Sequence, residues 1–449
     1  MKLFLCLALV FQVSAAVAAP QTLEDVEKTK KSHKINDLIT ANEYQMANGL
    51  TVFLTENPKA PDVVVAHWVK AGSLHETPGI TGIAHLFEHM MFRPIAPGAP
   101  TFFDIAGKLG ADFNANTRFE STFYFTSVAP AKWTELLKHE ADRFQKIVVT
   151  KEMLDAERKA VWSEYSTKFD ANPVIDLWFQ SYQQAYKGHP FGWMIIGNRE
   201  DLEKITAEDC NTFFQKYYKP NNTGLFITGN FKTKEALQQV LKLYGDWKPS
   251  ETAAQPPKPY DIKKAKEIIG EGKLPSDAKF TLFGIRTPYF DKDNAKLLTV
   301  FNNILFDGEN GLLKMRLVDD KQIASSASDF NFDYDNGMIK AAIVSLPKTK
   351  MSQLRAELLE IPKDFDKMSE ADFNTYKKNA YIRMAEGNQR NQALSDALAL
   401  TWGKYGNIDI TKELISAPLD VTKEQMKKFI AQYYVPENFV ILTHKGQKN

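Results

Sequence analysis

The chain has 449 residues, 44% of them hydrophobic and 25% charged, which is typical of a globular protein of two or three domains. Its 56 basic and 55 acidic side chains balance to a formal charge of +1, which argues against the basic surface that nucleic-acid binding requires. Beyond the N-terminus, no run reaches the roughly 18 apolar residues of a membrane-spanning helix. We therefore expect neither a nucleic-acid partner nor a membrane span.

The first residues, 1–19, are typical of a secretory signal peptide. The sequence MKLFLCLALVFQVSAAVAA has a lysine, an apolar run and a small-residue cleavage pattern at its end. This predicts an exported protein, with the periplasm as the expected compartment and secretion as the alternative. Cleavage would remove Cys6 and leave Cys210 alone, so no intramolecular disulfide is expected.

The following segment, 20–42, is polar and rich in lysine, and we predict a loose leader there. A first domain over 43–247 is predicted to mix strands and helices. Strands are expected from Asn48, where an Asn-Gly turn signal leads into TVFLTE, and at 62–70, 122–128 and 224–228. Helices are expected over 131–148, 151–168, 172–186 and 206–217.

A stretch with four prolines and no apolar periodicity, 248–264, predicts an interdomain linker. After it the same order begins again. Residues 206–222 align without gaps on 422–438, at an offset of 216, and seven of 17 positions are identical. Both copies carry an N-cap threonine, a helix and a Tyr-Tyr-x-Pro stop. We therefore predict a homologous second domain over 265–449, and an α+β fold in which each domain packs helices on one face of a largely antiparallel sheet.

The stretch GIAHLFEHMMF contains two of the eight histidines of the chain. On a helical wheel its apolar residues share one side, whereas His85, Glu88 and His89 share the other. Residues at i and i+4 are neighbours on a helix, so both imidazoles can reach one metal ion. The alternative is two exposed surface histidines. The H-x-x-E-H order favours a zinc site, because it is the known signature of inverted zinc peptidases.

A catalytic zinc usually has three protein ligands, and ERKAVWSE offers two candidates for the third. Glu157 and Glu164 point the same way from one helix but lie about 10 Å apart along its axis. One would be the ligand, and the other would orient a ligand histidine. Geometry alone leaves the choice open, and two solvated glutamates would be the default reading without the histidines.

The pair HLFEH and ERKAVWSE resembles the zinc peptidases that include pitrilysin, insulin-degrading enzyme and the mitochondrial processing peptidase. The segments NGLTVFL, GSLHE, FNANTRFESTFYF, YKGHPFGWMIIGN and YYKPNN follow in the order of that family. The resemblance implies that Glu164 is the third ligand, Glu157 the supporting carboxylate, and each domain an α/β roll. It also implies one zinc per chain, which activates a water for attack on a peptide bond, with Glu88 as the general base.

The segment NANT matches the substrate-binding edge strand of the family, to which a peptide would add as a further strand. Asn114 and Ala115 are the substrate-binding positions that the resemblance implies. The alternative is an ordinary loop that leads into the strand TFYFTSV.

The second half departs from the family. Its relatives carry a substrate-binding arginine and tyrosine in a segment that here reads GLLKMRLVDDKQIASS, where those positions are Val318 and Ser325. Arg316 is nearby but out of register. Because larger members enclose substrate with four such domains, we expect a heterodimer with a homologous chain that supplies the missing pair, and a homodimer as second choice.

The sequence therefore predicts a zinc endopeptidase that hydrolyses unfolded peptides or small polypeptides, as the catalytic subunit of a two-chain chamber. The alternative is a non-catalytic structural or peptide-binding subunit of the same family.

Overall fold

The structure is a computed structural model that describes residues 21–36, 39–170, 173–251, 260–271, 279–287, 292–329, 337–387 and 390–445. The predicted signal peptide lies outside these residues, and so do residues 252–259 of the predicted linker. The described chain forms two mixed sheets with helices against them.

The first half of the chain contains nine α-helices and seven strands among its described residues. Its strands are β1 (Lys31–Lys34), β2 (Thr40–Gln45), β3 (Thr51–Glu56), β4 (Val63–Val69), β5 (Asp112–Thr117), β6 (Thr122–Val128) and β7 (Thr223–Gly229). Its helices are α1 (Leu23–Glu27), α2 (Ile83–Met90), α3 (Phe102–Leu109), α4 (Trp133–Lys146), α5 (Lys151–Tyr165), α6 (Pro173–Ala185), α7 (Arg199–Lys204), α8 (Ala207–Tyr217) and α9 (Thr233–Tyr244). The sheet has the order β1-β2-β3-β7-β4-β6-β5, and every neighbouring pair except β3–β7 is antiparallel.

The described part of the second half forms a five-stranded sheet. Its strands are β8 (Ile268–Glu271), β9 (Lys279–Arg286), β10 (Ala324–Asp329), β11 (Met338–Ser345) and β12 (Phe439–Lys445). Its helices are α10 (Lys292–Phe306), α11 (Leu312–Lys314), α12 (Met351–Leu358), α13 (Ile361–Lys367), α14 (Glu370–Gly387), α15 (Asn391–Tyr405), α16 (Asp409–Ser416) and α17 (Lys423–Tyr433). The sheet has the order β10-β11-β9-β12-β8, with only β12–β8 parallel.

The offset of 216 found in the sequence extends to the framework of both sheets. β4, β6 and β7 begin 216 residues before β9, β11 and β12, and α8 begins 216 residues before α17. Thr206 and Thr422 both cap their helices through side-chain hydrogen bonds, as predicted. The predicted fold class, a mixed α and β protein with antiparallel-rich sheets, is confirmed.

The predicted strands and helices of the first half are confirmed to within three residues at their ends. In the strand β4 all seven residues are buried. A strand covered on both faces has this continuous burial. The second face of the first sheet is therefore also covered.

That second face is covered by a helix from the other half. Leu398 and Trp402 of α15 belong to one buried cluster with Phe53, Trp68 and Phe226 of the first sheet. The helix α6 of the first half packs in the same way on the second sheet, where Leu177 and Tyr182 join a cluster with Leu282, Val440 and Leu442. Because α6 and α15 occupy corresponding places in the two halves, the halves exchange equivalent helices.

The prediction of a loose leader over 20–42 is wrong for the described residues. They contain α1, β1 and the beginning of β2, and both strands join the first sheet. The sequence did not indicate this secondary structure because its many lysines are exposed, while only a few residues, among them Val26, His33 and Ala41, are buried. Thr22 and Asp25 also form a capping box at the start of α1.

The exchange of helices predicts that the packing of α15 carries a large share of the stability. Leu398→Ala should lower the free energy of unfolding by about 2–5 kcal/mol, because its side chain is fully buried and the change leaves a cavity. The measurement is urea denaturation followed by circular dichroism. Leu419→Ala, at a residue that is 43% exposed, is the matched control. Equal stability of the two variants would contradict the packing described here.

Candidate metal centre

The helix α2 is held at its N-terminus by a buried carboxylate. Glu76 accepts hydrogen bonds from the backbone N–H groups of Gly82 and Ala84, at 2.9 and 3.0 Å. Gly82 has φ of 89°, and a β-carbon there would lie 2.5 Å from the carbonyl oxygen of Ile196. Burial raises the pKa of Glu76 to about 8, against the effect of the two N–H donors. These contacts hold the start of α2, which immediately precedes His85 in the chain.

The polar face of α2 meets α5, and three potential ligand atoms come together there. The Nε2 atoms of His85 and His89 lie 3.5 and 3.4 Å from Oε2 of Glu164. Among the described residues, these three form the only group of histidine, cysteine and acidic side chains close enough to hold a metal ion, with ligand atoms within 4.8 Å of one another.

The spacing and chemistry of these atoms fit zinc. Ligands at about 2.0–2.1 Å in a tetrahedron lie about 3.3–3.4 Å from one another, close to the distances from Glu164 to both imidazoles. Two nitrogens and one carboxylate oxygen are also a known catalytic zinc set, which leaves one position open.

Glu157 occupies the other side of His89. Its Oε2 lies 3.0 Å from Nδ1 of His89, and its Oε1 is paired with Arg93. The contact fixes Nδ1 as the protonated nitrogen and leaves Nε2 to face Glu164. Burial of Glu157 is outweighed by His89 and Arg93, so its pKa lies below the usual value. This is the arrangement of a carboxylate that orients a ligand histidine.

The two histidines differ in their electrostatic surroundings. Burial and the neighbouring His89 lower the pKa of His85 to about 4. Burial also acts on His89, but the hydrogen bonds to Glu157 and Glu164 outweigh it and raise its pKa to about 9. Burial of Glu164 is likewise outweighed, by His89, His85 and Lys168, so its pKa falls to about 2. His85 and Glu164 are thus already in the states that bind a cation, whereas His89 must release a proton.

Glu88 lies next to the three ligand candidates but contacts a different partner. The Thr117 hydroxyl donates a hydrogen bond of 2.5 Å to its Oε2. Burial raises the pKa of Glu88, although Thr117 and His89 oppose this effect. The carboxylate is therefore held in one orientation and is made more basic than a solvated glutamate.

A cavity of about 660 Å³ opens over these residues. One wall is the strand β5, which lies at the edge of the first sheet and pairs with β6 alone among the described strands. The predicted substrate-binding residues Asn114 and Ala115 line the cavity. The cavity is also lined by residues of α5, α6 and the segments that follow them, namely Glu164, Lys168, Trp178, Met194, Ile195 and Ile196.

The corresponding place in the second half is apolar. Adding 216 to the numbers of the five acidic and histidine residues gives Phe301, Ile304, Leu305, Phe373 and Ala380. All five are buried in the core of the second half. Val318 packs against the same core, and Ser325 is exposed on β10 with its hydroxyl donating to the Val344 carbonyl at 3.3 Å. Arg316 is bound in ion pairs with Glu357 and Asp364.

Sequence reasoning missed several residues at the site. Thr117 stood in the quoted NANT segment, but nothing there indicated a contact with Glu88. Lys168, whose Nζ lies 2.5 Å from Oε1 of Glu164, had a readable signal in its i, i+4 spacing. Arg93 and Trp178 carried no such signal, because their contacts depend on tertiary packing.

The comparison with known families agrees with this geometry. Residues 51–197 match the profile of the insulinase family, peptidase family M16, and residues 204–380 match that of the M16 inactive domain. The two matches together span well over half of the chain.

The chain belongs to peptidase family M16.

The M16 relatives include several proteins named as zinc proteases. Zinc protease PqqE of Helicobacter pylori is 26% identical over 317 residues, which cover 69% of this chain and 71% of that protein. The uncharacterized zinc protease YmxG of Bacillus subtilis is 27% identical over 300 residues, which cover 66% of this chain and 71% of that protein. A probable mitochondrial-processing peptidase subunit beta of Arabidopsis thaliana is 23% identical over 432 residues, which cover 92% and 80%. These relatives support a zinc peptidase.

Solved M16 structures share the fold. A protease from Helicobacter pylori superposes with a TM-score of 0.83 at 23% identity, over 91% of this chain and all of that one. Pitrilysin superposes with a TM-score of 0.72 at 17% identity, over 94% of this chain and 47% of its own. No helix among the described residues has the length and apolar character needed to cross a bilayer.

The role of Glu157 can be tested by zinc binding alone. Glu157→Gln should weaken zinc affinity about 10–100-fold, because His89 loses the carboxylate that orients it. The affinity is measured by competition with a chromophoric chelator. Glu152→Gln, at an exposed position on the same helix, is the control. Unchanged affinity in the Glu157 variant would show that this carboxylate does not support the metal.

Proposed function

We propose that this chain is a zinc endopeptidase that cleaves unfolded peptides or small polypeptides. The observation that supports it most is the convergence of His85, His89 and Glu164 beside the buried carboxylate of Glu88, within a cavity that follows an open strand edge. We propose one zinc ion per chain, bound by these three side chains.

Each residue has a chemical task in this proposal. A zinc ion held there would lower the pKa of water and polarise the scissile carbonyl. Glu88 accepts a proton from the attacking water and returns it to the leaving amine. Thr117 holds Glu88 in the orientation that both transfers need. Glu157 keeps the proton of His89 on Nδ1.

The peptide substrate would lie along β5. That strand is an edge whose outer N–H and C=O groups can pair with an added strand, so the backbone would be recognised rather than a particular side chain. Asn114 and Ala115 would contact the substrate. A chain that can extend fits such an edge, which favours unfolded peptides over folded proteins.

The decisive variant is Glu88→Gln, which keeps the shape of the side chain and removes its basicity. Hydrolysis of a quenched fluorescent peptide mixture should fall about 10²–10⁴-fold, while the zinc content remains one per chain. Glu152→Gln is again the control. A Glu88→Gln protein with unchanged hydrolysis would refute this role, and a zinc-loaded wild-type chain that binds peptide without cleaving it would favour the peptide-binding subunit.

We further propose that the working enzyme contains a homologous second chain, in an exported compartment that we take to be the periplasm. Val318 and Ser325 occupy the positions of the missing arginine and tyrosine, and Arg316 is engaged with two carboxylates. A relative named as a subunit, the mitochondrial-processing peptidase subunit beta, is consistent with a two-chain enzyme. A homodimer is the second choice.

The partner proposal predicts that the purified chain alone cleaves the peptide mixture slowly. Co-purification with a homologue that carries the arginine and tyrosine should raise kcat/KM by at least about tenfold, since electrostatic stabilisation of the transition state is restored. Analytical ultracentrifugation identifies the species present. A fully active self-dimer would contradict the heterodimer.

A further inference from the structure

The turn between β5 and β6 (118–121) follows directly after the substrate-strand residues. The backbone N–H of Arg118 closes it by donating to the Ser121 carbonyl at 2.7 Å. From one side, the N–H groups of Ser73 and Leu74 donate to the carbonyls of Arg118 and Phe119, at 3.2 and 2.7 Å. The first half thus holds this turn through its backbone.

The second half holds the same turn through charged side chains of α15. Nη2 of Arg118 lies 3.0 Å from each carboxylate oxygen of Asp396. Two turns further along α15, Nζ of Lys404 lies 3.4 Å from Oε2 of Glu120. The Arg118 guanidinium also lies over the ring of Trp68, at 5.2 Å. The side chains of Lys404 and Glu120 are only 7% and 17% exposed, so solvent screens this pair weakly.

A short chain of contacts links this turn to Glu88. Arg118 is bonded to Thr117, the last residue of β5, and the Thr117 hydroxyl donates to Glu88 at 2.5 Å. Asn114 and Ala115 lie on the same strand, three and two residues before Thr117. A shift of the turn would therefore move both the hydroxyl that orients Glu88 and the edge along which the peptide is proposed to lie.

We infer that the second half of the chain takes part in hydrolysis through Asp396 and Lys404, two positioning residues that hold the β5–β6 turn and thereby set Glu88 and the substrate strand. The inference rests on the proposed function. The inference thus gives the second half a role in hydrolysis, although that half has apolar residues at the places of the proposed metal ligands.

The competing explanation is that the two ion pairs only help α15 to pack. Apolar residues of α15 such as Leu398 and Trp402 already make that packing. Another inter-half contact provides a matched control, because Asp409 of α16 lies 2.8 Å from His33 of β1, at the opposite edge of the first sheet from β5. Asp409→Asn breaks a contact between the halves without touching the β5–β6 turn.

The test is a double-mutant cycle in the full-length chain with Arg118→Gln, Asp396→Asn and both together. Each single variant should lower kcat about tenfold, and the double variant should lose little more, because the residues act as a pair. Zinc affinity should not change. Asp409→Asn should keep wild-type kcat. Lys404→Gln should also lower kcat, because it breaks the second contact of α15 with the turn, the pair of Lys404 and Glu120.

Hydrogen exchange supplies the readout that does not depend on activity. Amides of residues 112–121 should exchange faster in Asp396→Asn than in wild type or Asp409→Asn, because the turn is released. Wild-type kcat together with wild-type exchange in Asp396→Asn and Lys404→Gln would overturn the inference. If the wild-type chain hydrolyses nothing, either alone or with the homologous partner, the proposed function fails, whereas the exchange comparison still decides whether α15 holds the strand.

Discussion

The site depends on the position of His89 between two carboxylates of one helix. Glu157 and Glu164 lie seven residues apart on α5, about 10 Å along its axis, which is too far for both to bind one ion. They reach opposite nitrogens of the same imidazole, at 3.0 and 3.4 Å. The imidazole of His89 bridges the distance between the two carboxylates. Glu157 can therefore hold the proton on Nδ1, while Glu164 can bind the same metal ion as Nε2. This contact requires α2 and α5 to pack at a fixed position along their axes. The buried carboxylate of Glu76 holds the start of α2 by accepting hydrogen bonds from its backbone.

The second half shows how much of the framework is independent of this chemistry. β9, β11, β12 and α17 follow their counterparts in the first half at the offset of 216, yet apolar side chains occupy the places of His85, Glu88 and His89. Buried ionisable groups are costly unless each has a partner, and an apolar core carries no such requirement. In the first half the three carboxylates of the site are paired with Arg93, Thr117 and Lys168, none of which belongs to the metal motif.

Some of this arrangement could be predicted from the sequence because it is local. The apolar and polar sides of α2 follow from periodicity, and the threonine caps of α8 and α17 follow from their spacing with the third helical residue. The choice between Glu157 and Glu164 came from family resemblance, because the geometry of an isolated helix treats them alike.

Other features depend on tertiary packing and leave no local pattern in the sequence. Exposed lysines concealed the secondary structure of residues 20–42. The exchange of α6 and α15 cannot be predicted from periodicity, because the periodicity of a helix shows which face is apolar but not which sheet covers that face.

The central claim is that one zinc ion is bound by two imidazoles and one carboxylate of the first half. X-ray absorption spectroscopy at the zinc edge of the purified full-length chain tests it most directly. The account predicts one zinc per chain with nitrogen and oxygen ligands at about 2.0–2.2 Å, a scattering pattern of two imidazoles, and no sulfur ligand near 2.3 Å. A sulfur ligand, a single imidazole, or the absence of stoichiometric zinc from the folded chain would contradict it.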